Sequence, residues 1–273
     1  MLSGLEADSE EFTETGSGRL LLPSMKRLFT GLTDVGLLRS VNQDAYYLDP
    51  DGRFFIVADG MGGHAGGQEA SRIAIQAIQD YLLQHWYSIE PSPQLLEAAL
   101  FTANRAIIED QRRHPERADM GTTVVTIMFR EEKAWCAHIG DSRLYRLRGA
   151  KLEQMTEDHT LVARLMKVGE ITADQARFHP LRHVLAQCLG REDLQTIEVQ
   201  PLQVQVGDRL LLCSDGLTEE LSDQLIASRL KSIRACDMAA NALVKDAKDR
   251  GGRDNITVVI VSIDGLSRAD GLD

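Results

Sequence analysis

The sequence predicts an α+β layered domain in which antiparallel sheets form the middle and pairs of helices cover the faces. Three observations carry this expectation. Strand-like runs at 122–129, 134–139, 143–147 and 151–155 are joined by turns too short for parallel crossovers, so they pair antiparallel. Two long segments with helical periodicity stand side by side before them, at about 68–84 and 92–113. A second helix pair, near 222–230 and 235–249, precedes a last apolar strand at 255–263.

Taken in order, residues 1 to about 24 are acidic, rich in Ser, Thr, Gly and Glu, and carry one short apolar run at Leu20 to Leu22. They read as a tail without sustained periodicity. From residue 25 to about 265 apolar segments and turn signals alternate without a long linker, which favours one domain, and residues 266–273 form a short C-terminal tail. Ala45 to Leu48 and FFIVA (54–58) flank the turn DPDG and suggest a hairpin. In the first helix Ala70, Ile73, Ala74, Ala77, Ile78, Tyr81 and Leu82 recur at three- and four-residue spacing. In the second, Leu95, Leu96, Ala99, Leu100, Ala103 and Ile107 form one stripe. Residues 158–190 read as short helices and loops. A strand pair is expected at about 194–199 and 208–213.

The formal net charge of -11 repels phosphate backbones and argues against a nucleic-acid partner. No apolar stretch approaches the roughly 20 residues needed to cross a bilayer. The acidic N-terminus lacks the regions of a signal peptide, so the expected compartment is the cytoplasm. The four cysteines show no metal-type spacing, and Cys136 and Cys213, in strand-like runs, read as reduced core thiols.

Carboxylates at strand ends are the first chemical signal. Asp59 ends FFIVAD, Asp215 ends LLLCSD, Asp254 precedes NITVVIV, and Asp141 follows WCAHIG. Strands are rigid mounts, and several ends on one edge of a sandwich would gather these side chains into a small volume. Like charges that close require protons or cations, and hard oxygen ligands suit Mg²⁺ or Mn²⁺ rather than zinc. Each Asp taken alone serves equally well as a turn residue.

The segment Asp59-Gly60-Met61-Gly62-Gly63-His64-Ala65-Gly66-Gly67 holds five glycines in nine residues. Gly60, Gly62 and Ala65 fit the dinucleotide fingerprint G-x-G-x-x-A. Two facts oppose a dinucleotide enzyme: Asp59 would face the pyrophosphate, and hairpins rather than βαβ units follow. No Gly-Lys-Ser/Thr is present for a P-loop. Glycine also permits close backbone approach, so a carbonyl beside Asp59 can reach a cation.

Seven segments in order, TDVGLLRSVNQD (33–44), VADGMGGHAGG (57–67), MGTT (120–123), HIGDSRLYRL (138–147), MTEDHTLVARLMKVGEIT (155–172), LLCSDGL (211–217) and GGRDNITVV (251–259), closely resemble the metal-dependent, type 2C protein serine/threonine phosphatase family in its compact bacterial branch. The resemblance covers about residues 27 to 263. It implies a four-layer αββα sandwich, a central antiparallel β-sandwich flanked by helix pairs, with residues 25–265 as the catalytic domain. It further implies that Asp59 bridges two Mg²⁺ or Mn²⁺ ions, with the Gly60 carbonyl on the first and Asp215 and Asp254 on the second. Asp141, with Asp215, matches a third-metal position. Asp44 would hold metal-bound water, Arg39 would clamp the substrate phosphate, and His64 would be the general acid. Gln43 stands where some relatives carry an acid, and about 159–190 match a flap over the site.

The implied activity is hydrolysis of phosphoserine and phosphothreonine by a metal-bridging water without a phospho-enzyme. The implied partners are phosphoproteins and an opposing serine/threonine kinase, and a monomer is expected. The chemistry fits: two ions shield the phosphoryl oxygens, arginine offers a bidentate fork, and imidazolium protonates a poor alkoxide leaving group. A small-metabolite phosphatase and a non-catalytic phosphoprotein-binding module are the rivals.

Other conspicuous residues invite blander readings. His138 lies in a strand and reads as a satisfied core or edge histidine. His179 and His183 have i, i+4 spacing, but Pro180 and the want of a third ligand argue against a zinc site. Ser142 and Ser214 lack a nucleophile-elbow context and read as hydrogen-bonding neighbours of the carboxylates.

Overall fold

A computed structural model of the protein describes residues 25–63 and 66–265. Both expected tails, and His64, lie outside the described residues.

The chain begins with β1 (Lys26–Asp34), β2 (Asp44–Leu48) and β3 (Phe54–Met61), followed by the helices α1 (Gly66–His85) and α2 (Ser92–Arg113). A run of strands follows: β4 (Gly121–Thr122), β5 (Val124–Arg130), β6 (Lys133–Ile139), β7 (Arg143–Arg148) and β8 (Lys151–Gln154). Short helices α3 (Leu161–Lys167) and α4 (Ala173–Arg177) lead to β9 (Val199–Leu202), β10 (Arg209–Cys213) and the single turn α5 (Asp215–Thr218). Helices α6 (Asp223–Ser232) and α7 (Cys236–Asp249) and strand β11 (Ile256–Asp264) complete the fold. One sheet has the order β1-β11-β10-β7-β8, the other β2-β3-β5-β6-β9 with β4 also paired to β3, and every pairing is antiparallel.

The period of two along each strand builds three apolar layers. Phe55 and Val57 of β3 face Leu210 and Leu212 of β10 and Val259 and Val261 of β11 across the sandwich. Phe54 and Ile56 point the other way, onto Leu96, Ala99 and Leu100 of α2 and Ala70 and Ala74 of α1. Leu211 and Cys213, with Val258 and Ile260, meet Leu243, Ala247 and Ala240 of α7. Because both faces of the central strands are covered, they read as unbroken apolar runs rather than alternating ones. The four-layer αββα sandwich expected from the sequence is what forms.

Two local expectations are corrected. The runs at 194–199 and 208–213 do not pair with each other. β9 begins only at Val199 and pairs with β6 in one sheet, whereas β10 lies between β7 and β11 in the other. The intervening segment carries the chain across the sandwich, and Pro201 sits on an edge strand, where its missing N–H costs nothing. The run 122–129 is interrupted at Thr123, whose N–H donates to the Asp59 carbonyl at 2.8 Å instead of continuing a regular ladder.

A buried arginine closes the α1–α2 turn. Arg130, at the end of β5, donates to the carbonyls of Trp86 at 3.1 Å, Ser88 at 2.5 Å and Glu90 at 2.7 Å. These carbonyls follow the last turn of α1 and have no helical partners of their own. Arg130→Met keeps the stem but leaves the carbonyls unpaired. It should lower the unfolding free energy by about 2–4 kcal/mol in urea titration, whereas a loss below about 0.5 kcal/mol would show the turn to be held otherwise.

Candidate metal centre

The site forms where β3 of one sheet meets β10 and β11 of the other. Asp59 stands near the end of β3, directly paired with Asp44 at the start of β2. Asp215 opens α5, separated from β10 by Ser214, and Asp254 precedes β11, separated from it by Asn255. Asp141 follows β6. All four of Asp59, Asp141, Asp215 and Asp254 are partly exposed, and Asp141 and Asp215 line an open cleft.

Close backbone contacts set these positions. The Asp59 N–H donates to Thr123 Oγ1 at 3.0 Å, and its carbonyl accepts from the Thr122 hydroxyl and the Thr123 N–H, both at 2.8 Å. A Cβ on Gly60 would lie 1.9 Å from the Gly67 carbonyl oxygen, so only glycine lets the Gly-rich segment pack against β3. A Cβ on Gly216 would lie 2.0 Å from the Asn255 carbonyl oxygen, and this contact sets α5 beside the start of β11. Asn255 in turn accepts from the Gln43 N–H at 2.8 Å and donates to the carbonyls of Val35 and Val41 at 2.9 and 3.1 Å. It therefore holds the loop that carries Arg39 and Asp44.

Asp44 is buried. Its Oδ2 accepts from the hydroxyls of Thr257 at 2.6 Å and Ser214 at 2.7 Å, while Oδ1 is buried without a partner among the described residues. A carboxylate oxygen left so in an acidic pocket fits a water or cation. The charges tell the same story. Burial, and then the charges of Asp44, Asp215, Asp141 and Asp254, hold the Asp59 carboxyl well above the usual carboxylate range. Burial pushes Asp44 up to about 7, against the Thr257 and Ser214 hydrogen bonds and with the charges of Asp215 and Asp254. Asp141 is pushed up to about 8 by burial and then by Asp215, and Asp215 to about 6 by burial and then by Glu219 and Asp254. Gathered oxygen donors that repel one another this strongly suit Mg²⁺ or Mn²⁺.

Arg39 lies at the mouth of the cleft, half-exposed, with Nη2 2.6 Å from Asp254 Oδ2. Asp44, Asp59, Gly60, Asp141, Asp215, Asp254 and Arg39 thus converge, while His64 lies outside the described residues. Gln43 donates through Nε2 to the Gly62 carbonyl at 3.4 Å. Ser214 hydrogen-bonds Asp44, and Ser142 meets Thr123 at 2.7 Å, as expected of hydrogen-bonding neighbours. His138 is buried, with Nε2 2.7 Å from the Glu157 carbonyl and its ring stacked on His159. His183 does not join His179; its Nδ1 lies 2.7 Å from Glu219 Oε1. The supporting roles of Thr122, Thr123, Asn255, Thr257 and Glu219 are missing from the sequence reading. The only signal for them was their adjacency to motif residues.

The family profile described as Protein phosphatase 2C matches residues 39–247. The chain is 38% identical over 239 residues to the Serine/threonine protein phosphatase PstP of Mycobacterium tuberculosis, covering 86% of this chain and 45% of that protein. It therefore spans less than half the length of that relative. It is 35% identical to the Serine/threonine phosphatase stp of Listeria monocytogenes, covering 85% of this chain and 94% of that one. The fold is similar to a crystal structure of the catalytic domain of PstP in complex with 2 manganese ions, with a TM-score of 0.76 and 34% identity over 88% of this chain and 100% of that one.

Stability without metal should depend on pH in a defined direction. These carboxyls titrate higher in the folded chain than in the unfolded one, where aspartate sits near about 3.9. Between about pH 4 and about pH 8 the native state therefore binds more protons, and stability falls as pH rises. EDTA-treated protein should melt at a lower temperature near pH 8 than near pH 5.5, and saturating Mn²⁺ should reverse the loss. A melting temperature that rises with pH in EDTA would contradict this account of the site.

Proposed function

The chain belongs to the protein phosphatase 2C family, and from that premise we propose that it is a metal-dependent protein serine/threonine phosphatase. The observation that carries the reading is the convergence of Asp59, Asp215 and Asp254 with Asp44, whose Oδ1 is buried without a protein partner among the described residues. The manganese ions in the similar PstP catalytic domain support it. In this reading Asp59 and the Gly60 carbonyl, with Asp215 and Asp254, would hold two Mg²⁺ or Mn²⁺ ions, and Asp141 with Asp215 would hold a third. When bound, such ions lower the pKa of water and neutralise phosphoryl oxygens during in-line attack.

The chain's own groups do the rest. Asp44, fixed through Oδ2 by Thr257 and Ser214, presents Oδ1 as the acceptor that orients the attacking water. Arg39 exchanges the Asp254 carboxylate for the phosphate dianion, for which its two-pronged guanidinium is the better match. His64 is assigned the proton for the departing serine or threonine oxygen. Residues 25–265 would form the catalytic domain. Phosphoproteins are the substrates in this reading, an opposing serine/threonine kinase is the counterpart, and a monomer in the cytoplasm is part of it; these rest on the family. Among the described residues no helix is long and apolar enough to cross a membrane.

Purified protein should release phosphate from a phosphothreonine peptide with Mn²⁺ and cease in EDTA. Activity on p-nitrophenyl phosphate and phosphorylated metabolites alone would favour a small-metabolite phosphatase. No metal-restored release from either substrate would leave a non-catalytic binding module.

Asp254→Ala should abolish metal-dependent turnover. Arg39→Ala should raise KM about 10- to 100-fold, the equivalent of losing one charge-assisted hydrogen bond pair, while Mn²⁺ still binds. Unchanged kinetics in Arg39→Ala would remove its assignment as the clamp.

A further inference from the structure

The loop between α7 and β11 fixes two arginines relative to one another. Arg253 immediately precedes Asp254 and forks onto Glu220, in the turn between α5 and α6. Its Nε lies 2.8 Å from Glu220 Oε1 and its Nη2 3.2 Å from Oε2, and its N–H donates to Oε1 at 3.2 Å. The Glu220 side chain is only 3% exposed, so this carboxylate is a fixed seat for the loop. A Cβ on Gly251 would lie 3.1 Å from Oε1, and its absence lets the backbone rest there. The Gly252 carbonyl accepts from the Leu37 N–H at 2.7 Å. That bond carries the register on to Arg39, two residues later, which contacts Asp254 at 2.6 Å.

Arg253 is nonetheless 56% exposed. It lines the cavity of about 790 Å³ that Asp141 and Asp215 also line. Its Nη1 makes no hydrogen bond among the described residues, so one edge of the guanidinium stays open to the cleft. An arginine this exposed adds little stability through an ion pair, whereas burying the partner carboxylate costs. Preorganisation for a ligand accounts for both.

We propose that Arg253 binds an acidic group of the phosphoprotein, a carboxylate or a second phosphate, within about four residues of the phosphoserine or phosphothreonine that Arg39 receives. The inference rests on the phosphatase reading above and deepens it, since it states which phosphoproteins the cleft prefers. A guanidinium already held by Glu220 loses little side-chain entropy when a second anion arrives. Its planar fork leaves donors for that anion after Glu220 is satisfied. The net charge of -11 repels acidic segments at long range, so a cation on the cleft wall supplies locally the attraction that the surface at large withholds. Arg253 is therefore a specificity-determining residue, which acts in the choice of substrate and leaves the chemistry to the groups described above.

The test measures binding apart from turnover. Peptides carrying the non-hydrolysable difluoromethylphosphonate analogue of phosphothreonine are titrated against the Mn²⁺-loaded full chain by fluorescence anisotropy. Three versions differ only at the flanking positions, which hold glutamine, glutamate or phosphoserine. The unsubstituted protein should bind a glutamate or phosphoserine version about fivefold or more tighter than the glutamine one. Which of the two gains identifies the acidic group. Arg253→Gln should bring the ratio to about one. The double variant Arg253→Gln with Glu220→Gln should do the same, and it keeps a hydrogen-bonded amide pair in place of a buried unpaired carboxylate. Equal affinity for all three peptides, or a preference that survives in both variants, would overturn the proposal and leave a structural ion pair only. Phosphate release from the ordinary phosphopeptide is measured separately. A protein that shows the preference but releases no phosphate would fail the phosphatase reading and not this one.

Discussion

Mutual repulsion among the carboxylates at the junction of the two sheets is the constraint to which the rest of the structure answers. Asp44, Asp59, Asp141 and Asp215 are all held above their ordinary protonation range, by burial first and by one another next. A chain free to relax would separate them. Here it cannot, because Asp59, Asp141 and Asp215 sit on or beside strands whose two faces are largely buried, and Asp44 is paired to Asp59 across the β2–β3 ladder. Moving Asp59 would drag Phe54 to Ala58 through two apolar layers, and moving Asp254 would do the same to β11. The packing of the sandwich holds the electrostatic conflict in place, and divalent cations relieve it.

The same logic explains the unusual density of backbone contacts around the site. Asn255 joins the start of β11 to the loop of Arg39 and Asp44 through three hydrogen bonds. Gly60 and Gly216 remove side chains where two backbones must touch. Thr122 and Thr123 interrupt a strand in order to hold both polar groups of the Asp59 backbone. A site built this way is preorganised, so the side chains that meet a ligand need little rearrangement to do so. The opposite wall is built differently. Short helices and turns between 159 and 190 reach the cleft through polar contacts such as His183 with Glu219.

Legibility in the sequence followed the strength of the periodic signal. Helices α1, α2 and α7 stood out because their apolar stripes run for three turns or more. The hairpins β5–β6 and β7–β8 were legible because short turns leave little choice of partner. Strand β1 passed without assignment: as an edge strand paired only to β11, it mixes exposed and half-buried residues and lacks a clean pattern. The mistaken pairing of 194–199 with 208–213 has a similar origin. Apolar runs announce strands, but the choice between the two sheets is settled by the core that each strand fills, which no local pattern encodes.

At the site, the sequence by itself determined which residue types stand in which order. The aspartates, the glycine segment and the arginine carry their chemistry wherever they are placed, and their resemblance to a family rests on that order. What the tertiary structure alone decided is their company. The unpaired Oδ1 of Asp44 is set by its surroundings, and the Arg39–Asp254 contact, the Asn255 clamp and the meeting of His183 with Glu219 join residues far apart in the chain and unrelated by any single motif. Such contacts arise because two sheets pack face to face and bring distant strand ends to one edge, and that closure is a property of the assembled core.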